Sequence, residues 1–300
     1  MRRRPLLSIV VANYNYGRFL AEAIESVLAQ SCQEFELIIC DGGSTDNSVE
    51  VIKHYARGLS ANTALASDVS SNSRIAWWCS EKDRGQSHAF NKGFSHATGR
   101  FLTWLNADDV LLPGTVERLK SAASTFEKCD WFVGGCLWLD PDMQVIRCVR
   151  ACPFSEARYR CGMVSAWGPS SFFSKGMLDA VGGVDERFHY MMDSDLWLKF
   201  AVAGYRYRDM PGYAYGLRLH PDAKMSGHHF SGSAQQDPNH FKWQQLREEA
   251  HLMRQGREFA PFTPFMRLLT IKWKSRAVGA LNQMCMKGKH YARINYMGKH

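Results

Sequence analysis

The sequence predicts an α/β fold: a mostly parallel sheet flanked by helices, then a small mixed β region and a helical, basic C-terminal tail. Three observations predict it. Over the first 112 residues, short apolar runs rich in β-branched residues alternate with segments of helical period, the pattern of strands joined by crossover helices. The apolar runs end on polar or acidic residues such as Asn13, Asp41 and Asp108. Beyond them a hairpin pattern breaks the alternation, and residues 241 to 300 change composition altogether.

The elements follow in order. Leu7 to Ala12 reads as a buried strand, and Phe19, Leu20, Ala23, Ile24, Val27 and Leu28 make one apolar stripe of the helix after it. Glu36 to Cys40 is the second strand. It runs into Asp41-Gly42-Gly43-Ser44-Thr45-Asp46, where glycines permit a tight turn before a helix carrying Val49, Ile52 and Tyr55. Residues 58 to 74 read as a surface loop. Ile75 to Trp78 resumes the sheet, Gln86 to Ala97 is helical, and Phe101 to Leu105 is a strand ending in Asn106-Ala107-Asp108-Asp109. Pro113 is expected to open the next helix. Trp131 to Leu139 and Val145 to Val149 form the hairpin, Asp193 to Ala203 a helix closed by Gly204, and Tyr213 to Leu219 a late strand. The expected organisation is a catalytic domain over 1–226, a loop rich in His, Ser and Gly over 227–240, and a basic helical extension over 241–300.

With 300 residues, 45% of them hydrophobic, the chain can bury one large core. The net charge of +8 is not evenly spread. Residues 1 to 240 hold 25 Lys+Arg against 26 Asp+Glu, whereas residues 241 to 300 hold 12 against 3. The basic excess therefore belongs to the tail, and with no finger or helix-turn-helix spacing a nucleic-acid partner is not expected. Nine cysteines form an odd set without paired metal spacing, which suits a reducing cytoplasm. The opening Met1-Arg2-Arg3-Arg4 imitates a signal peptide, but the apolar run after it is short and meets Asn13-Tyr14-Asn15 without a cleavage pattern. No stretch approaches the roughly 20 apolar residues that span a bilayer. The tail mixes Phe262, Phe265, Met266, Leu268, Leu269, Ile271 and Trp273 with Arg267, Lys272, Lys274 and Arg276. Such a helix either packs on the body with a solvated basic face or lies on an anionic membrane, so peripheral contact at the membrane's inner face stays open.

In an open parallel sheet, ligands bind outside the carboxyl ends of the strands. The polar residues collect there: Asn13-Tyr14-Asn15, Asp41, the Glu81-Lys82-Asp83-Arg84 segment, and Asp108-Asp109. Adjacent carboxylates at a strand end invite a hard cation such as Mg2+ or Mn2+, which takes carboxylate oxygens and keeps positions for phosphate. Asp109 alone can equally cap the following helix. Asp193 and Asp195 begin a helix, where an acid is favoured by the dipole; either they are simple N-terminal charges or one of them is a general base.

In order along the chain, five pieces resemble the inverting family 2 glycosyltransferases of the Rossmann-like GT-A fold. They are Ser8 to Asn15, Asp41 to Asp46, Asp83 to Gly99 with Asn91-Lys92-Gly93, Asn106 to Asp109, and Asp193-Ser194-Asp195-Leu196-Trp197. The resemblance covers about residues 6 to 226. It implies that Ala12, Asn13, Tyr14, Asn15 and Asp41 hold the nucleoside, with Asp83 and Arg84 lining the same pocket. It implies that Asn106, Ala107 and Asp108 meet the donor diphosphate through Mn2+ or Mg2+, with Asp109 and His220 as further metal ligands and Arg218 reaching the diphosphate. Arg218-Leu219-His220 and Lys224 resemble the family's closing loop, although a strand end of this composition is also an ordinary solvated edge. Asp193 matches the catalytic base, with Asp195 in support. Two departures stand out: Gly42, where many members carry a second acid, and Asn106, where the metal motif often begins with Asp. Trp167 to Ser171 reads as a wall of the acceptor pocket or a plain turn.

The implied reaction is a single inverting displacement at the anomeric carbon of a nucleotide-diphosphate sugar, with a UDP-sugar preferred and a glycan or lipid-linked acceptor in polysaccharide or cell-surface glycan assembly. Two other classes compete. A nucleotidyltransferase can use a similar sheet, but it predicts a phosphate loop rich in Gly, Arg and Lys where Asn13-Tyr14-Asn15-Tyr16 stands. A non-catalytic nucleotide-sugar-binding protein is disfavoured by the presence of both Asp108 and Asp193.

Overall fold

The computed structural model describes residues 4–56, 75–224, 245, 248–253, 255 and 286–293. The expected loops at 58–74 and 227–240, with His228 and His229, lie outside these residues, as do the tail aromatics from Phe262 to Trp273.

Four parallel strands form the first half of the sheet, in the order β3 (Ile75–Ser80), β2 (Phe35–Asp41), β1 (Leu7–Asn13), β4 (Phe101–Asn106). Residues alternate faces as a strand's period of two requires. Leu7, Ile9 and Val11 join one apolar cluster, with Leu37 and Ile39, under the helices α1 (Gly17–Leu28) and α2 (Ser48–Ala56). Val10, Ile38, Cys40, Leu102 and Trp104 face the opposite cluster, with Phe90 and Phe94 of α3 (Gln86–His96). Both faces are covered, which is why these runs read as continuously apolar. Helix α3 comes very close to the sheet: a Cβ at Gly93 would sit 2.2 Å from Val10 Cγ1. Asn91 donates to Val184 O at 2.8 Å and accepts from Val184 N at 2.9 Å. The Asn91-Lys92-Gly93 piece thus packs the helix and ties it to the loop before the last helix.

Past β4 the sheet becomes mixed. A two-residue strand, β5 (Val110–Leu111), leads to α4 (Thr115–Thr125), which starts after Gly114 in the left-handed conformation and not at Pro113 as the sequence suggested. The expected hairpin is present as β6 (Trp131–Leu139) and β7 (Val145–Val149). Between β4 and β6 the structure inserts an antiparallel strand that the sequence analysis did not identify, β8 (Ser171–Ser174), after the short helix α5 (Glu156–Arg160). Helices α6 (Lys175–Ala180) and α7 (Met192–Val202) follow, and β9 (Arg208–Arg218) closes the chain's sheet, parallel to β6 and antiparallel to β5.

Helix α7 is held by aromatic packing. Trp197 stacks on Trp104 of β4 at 5.4 Å between ring centroids and 6° between planes, and also meets Trp131 and Phe173. Offset stacks of this kind add about 0.5–1.5 kcal/mol each beyond area burial. They bring the first turn of α7 to the carboxyl end of β4.

Two described pieces of the C-terminal extension contact the body. Met253, 7% exposed, belongs to the same cluster as Trp197. Residues 288–291 pair with 143–145 through Gly288 N to Val145 O and Tyr291 N to Met143 O. No helix among the described residues is long and apolar enough to cross a membrane. The eight described cysteines are free thiols.

Candidate active site

The register brings four strand ends to one edge: Asn13 pairs with Asp41, Ala12 with Asn106, and Asp41 with Ser80. Asp41 is buried, and protein donors saturate its carboxylate. Oδ1 accepts from Asn13 Nδ2 at 2.6 Å and Ser44 Oγ at 2.5 Å, while Oδ2 accepts from Ser44 N at 3.0 Å and Ser80 Oγ at 2.6 Å. A carboxylate has about four such acceptor positions. In this conformation Asp41 therefore shapes the loop, and a nucleobase reaching it must displace a serine hydroxyl. Ser44 stood within the Asp41 to Asp46 piece without a role at Asp41, and Ser80 carried no recognisable signal in the sequence.

The loop after β1 is stapled to the loop after β2. Asn15 adopts φ 56°, a left-handed conformation that asparagine tolerates, and its Oδ1 accepts from Thr45 N at 2.8 Å. Tyr14 is 59% exposed at this edge. A Cβ at Gly42 would lie 2.8 Å from Asp83 Oδ2 and 3.3 Å from the Tyr14 ring. Glycine at 42 thus leaves room for Asp83 beside Tyr14, which accounts physically for that departure from the family pattern. Arg84 lies nearby but pairs with Glu186 at 2.8 Å.

Asp108 and Asp109 have different surroundings. Asp109 is 1% exposed and accepts from Asn106 Nδ2 at 2.7 Å, Tyr215 Oη at 3.0 Å and Arg218 N at 2.9 Å. Burial, reinforced by the neighbouring Asp108 charge, pushes its carboxyl well above the usual carboxylate range. It caps no helix; it ties β4 to β9. Asp108 Oδ2 instead lies 3.1 Å from His220 Nε2. The His220 ring packs against Phe19 at 4.6 Å and Tyr16 at 5.8 Å, and its Nδ1 is buried with no partner among the described residues. Arg218 turns away, pairing with Glu22 and lying over Phe19.

No group of three or more His, Cys, Asp and Glu able to hold a metal occurs among the described residues. The Asp108 carboxylate and His220 Nε2 do converge, and they fit a cation that accepts one carboxylate and one imidazole and completes its shell with diphosphate oxygens and water. Asn106 makes no such approach: its Oδ1 accepts from Gln86 Nε2 at 2.6 Å and its Nδ2 donates to Asp109.

Asp193 occupies the first turn of α7. Its Oδ1 accepts from Ser194 N at 2.7 Å, and Oδ2 accepts no hydrogen bond among the described residues. Oδ2 lies 3.6 Å from where a Cβ at Gly168 would stand, and the Trp104 indole flanks the same point. Gly168 thereby leaves space against the carboxylate, the feature that suits the Trp167 to Ser171 turn to an acceptor wall. Burial raises the Asp193 carboxyl above its ordinary value. Asp195 points elsewhere, paired with Lys199 at 3.0 Å, and Lys199 also approaches Asp185 at 3.8 Å.

Lys224 joins the two halves. Its Nζ donates to Gln86 Oε1 at 2.9 Å and to His189 O, and both Asp193 and Asp108 act on it electrostatically. A cavity of about 300 Å3 opens between Gln86, Phe188, His189 and Lys224. Burial holds the Lys224 ammonium down to about 8. Because its folded pKa lies below the ordinary 10.5, the folded state binds fewer protons than the unfolded one between about pH 8 and 10.5, and this group's contribution to stability rises with pH through that window. Should Asp193 act as a base that needs the Lys224 charge beside it, activity would follow a bell-shaped pH profile, its acid limb above the ordinary carboxylate value and its alkaline limb near pH 8. Lys224→Arg is expected to move the alkaline limb upward; an unchanged limb in that variant rules Lys224 out as its origin.

The sheet order, with its parallel half and the strand-end loops at one edge, is that of the GT-A class. Residues 8–133 match the family described as Glycosyl transferase family 2. An uncharacterised glycosyltransferase of Nostoc sp. is 38% identical over 119 residues, 40% of this chain and 33% of that protein. EpsE of Bacillus subtilis is 29% identical over 231 residues, 74% of this chain and 76% of that protein. Among solved structures, S. aureus TarS 1-349 in complex with UDP-GlcNAc superposes with a TM-score of 0.55 at 18% identity, over 83% of this chain and 66% of that one. The mannosyltransferase PcManGT of Pyrobaculum calidifontis, in complex with GDP-Man and Mn2+, gives 0.55 at 18% identity over 97% and 78%. Over residues 8–133 the chain resembles the family 2 glycosyltransferases, and its fold is that of the glycosyltransferase structures TarS and PcManGT. It spans about a third of the length of the Nostoc relative.

Proposed function

We propose that the protein transfers a sugar, with inversion, from a nucleotide-diphosphate sugar to a hydroxyl of a glycan or lipid-linked acceptor. The observation that carries this reading is Asp193: a carboxylate with one oxygen fixed by Ser194, the other open beside Gly168, and a proton affinity raised by burial, electrostatically linked through Lys224 to Asp108. Asp193 takes the acceptor proton, the hydroxyl oxygen bonds to the anomeric carbon, and the bond from that carbon to the diphosphate oxygen breaks. One base suffices for a single displacement, in contrast to the carboxylate pair of retaining glycosidases. Asp108 and His220 would hold Mn2+ or Mg2+, which when bound neutralises charge on the departing diphosphate. Lys224 adds a protein cation on the same side. Tyr14 and Asp83 line the nucleoside end, with Asp41 and Asn13 setting the loop; Arg218, Arg84 and Asp109 serve from behind by holding α1, Glu186 and β9.

A UDP-sugar is the first donor to test, supported by the Asp41 loop and by the UDP-GlcNAc complex of TarS; the GDP-Man complex of PcManGT makes GDP-mannose the second. The basic excess of residues 241 to 300 supports an acceptor presented at an anionic membrane surface. The test is a panel of nucleotide sugars with Mn2+, read by thermal stabilisation and slow donor hydrolysis. One donor is expected to raise Tm by a few degrees at saturation, only with metal, and to be hydrolysed. Stabilisation without any hydrolysis or transfer would instead make the protein a binder.

A further inference from the structure

Glu249 lies in the basic extension, beyond the residues that the family comparison matches. It is 5% exposed, and its carboxylate accepts three successive backbone N–H groups: His189 at 2.9 Å, Tyr190 at 2.8 Å and Met191 at 2.8 Å. Gln245 Nε2 adds a fourth bond at 3.1 Å. A buried carboxylate is costly unless its acceptor positions are filled, and here four donors fill them.

Those three amides lead directly into α7. Met191 is the residue preceding its first turn and provides no side-chain cap of its own. Asp193 lies two residues on. Lys224 holds the same turn as well, donating to His189 O and sitting 5.5 Å from the Tyr190 ring, and the Glu249 charge acts on it. Leu252 and Met253, three and four residues after Glu249 on the same helical face, pack into the cluster that contains Phe188 and Trp197. The turn that delivers Asp193 is thus held both by a distant carboxylate and by the cleft's own lysine.

We propose that Glu249 is a positioning residue for Asp193: the extension docks its carboxylate on the 189–191 amides and so fixes where the base stands. The catalytic part of this inference rests on the reading of Asp193 as base. A displacement of about 1 Å at a reacting group costs up to roughly a hundredfold in rate, so a clamp of this kind has kinetic consequences. Donor affinity should be spared, because Tyr14, Asp83 and Asp108 stand on other elements.

The test uses the full chain with Glu249→Gln, Glu249→Ala and Glu249→Asp. Amide hydrogen exchange is expected to rise at least about tenfold at 189–191 and in the first turn of α7 in the Gln and Ala variants, with β1, β2 and β4 unchanged. With Mn2+ and UDP-GlcNAc or GDP-mannose, whichever the wild type hydrolyses, kcat is expected to fall about tenfold or more with KM within about twofold, and Glu249→Asp to recover part of the loss. Unchanged exchange overturns the clamp. Faster exchange with unchanged kcat, or a loss carried by KM, overturns the positioning role while leaving the transferase reading intact. If the wild type hydrolyses neither donor, the transferase reading fails for them, and hydrogen exchange decides the positioning: faster exchange at 189–191 and in the first turn of α7 in the Gln and Ala variants sustains it, and unchanged exchange overturns it.

Discussion

Asp193→Asn is expected to lower turnover about 10²- to 10⁴-fold while changing donor affinity by less than about threefold. Asparagine keeps an oxygen to accept the Ser194 amide, so the turn geometry survives, but it cannot take a proton. Tyr14, Asp83 and Asp108, the residues proposed to meet the donor, follow β1, β3 and β4, and the substitution touches none of them. Single-turnover transfer or hydrolysis, with donor-induced thermal stabilisation alongside, separates the two quantities. A variant within about fivefold of wild-type turnover would remove Asp193 as the base, and one that no longer binds donor would move it to the binding machinery.

The adjacent carboxylates should part company when each is removed. Asp108→Ala is expected to fold with a Tm close to wild type, to lose metal-dependent stabilisation by the donor, and to lower turnover about 10²- to 10³-fold through loss of charge stabilisation at the leaving group. Asp109→Ala is expected to destabilise the fold by roughly 2–5 kcal/mol, because Tyr215 Oη, Asn106 Nδ2 and Arg218 N then lose a buried acceptor. Removing a buried charge beside Asp108 offsets part of that loss. Urea midpoints measure the second effect and metal-dependent thermal shifts the first. Equal loss of stability in both variants would contradict the separation of one acid at the cleft from one inside the sheet.

How far the site was legible depended on the kind of interaction involved. Strand ends were readable because apolar runs that stop at Asn13, Asp41 and Asn106 must lie at one sheet edge once the strands are parallel. Asp108 and Asp193 stood out for the same reason, each an acid at the end of a buried element. The partners of those acids were not readable. Arg218 was expected at the diphosphate and instead pairs with Glu22, and Asp195 was expected to support the base and instead pairs with Lys199. Gln86, Ser80 and Glu249 passed unnoticed because their decisive contacts are to residues far away in the chain. The strand β8 was missed because four residues after a Gly-Pro turn carry too short a pattern, and only its neighbours β4 and β6 make it a strand.

The amino-acid pattern by itself determined the parallel α/β half, the sheet edge at which the polar strand ends gather, and the contrast in charge between residues 1 to 240 and 241 to 300. These follow from hydrophobic period and composition, which are properties of short windows of chain. Only the tertiary structure decided which of two adjacent acids faces the cleft, that Asp41 is saturated from within, and that Glu249 reaches across to hold the turn bearing Asp193. Such outcomes depend on which donors come within about 3 Å of a carboxylate, and residues dozens to a hundred positions apart settle that only when the sheet and its helices have closed around them.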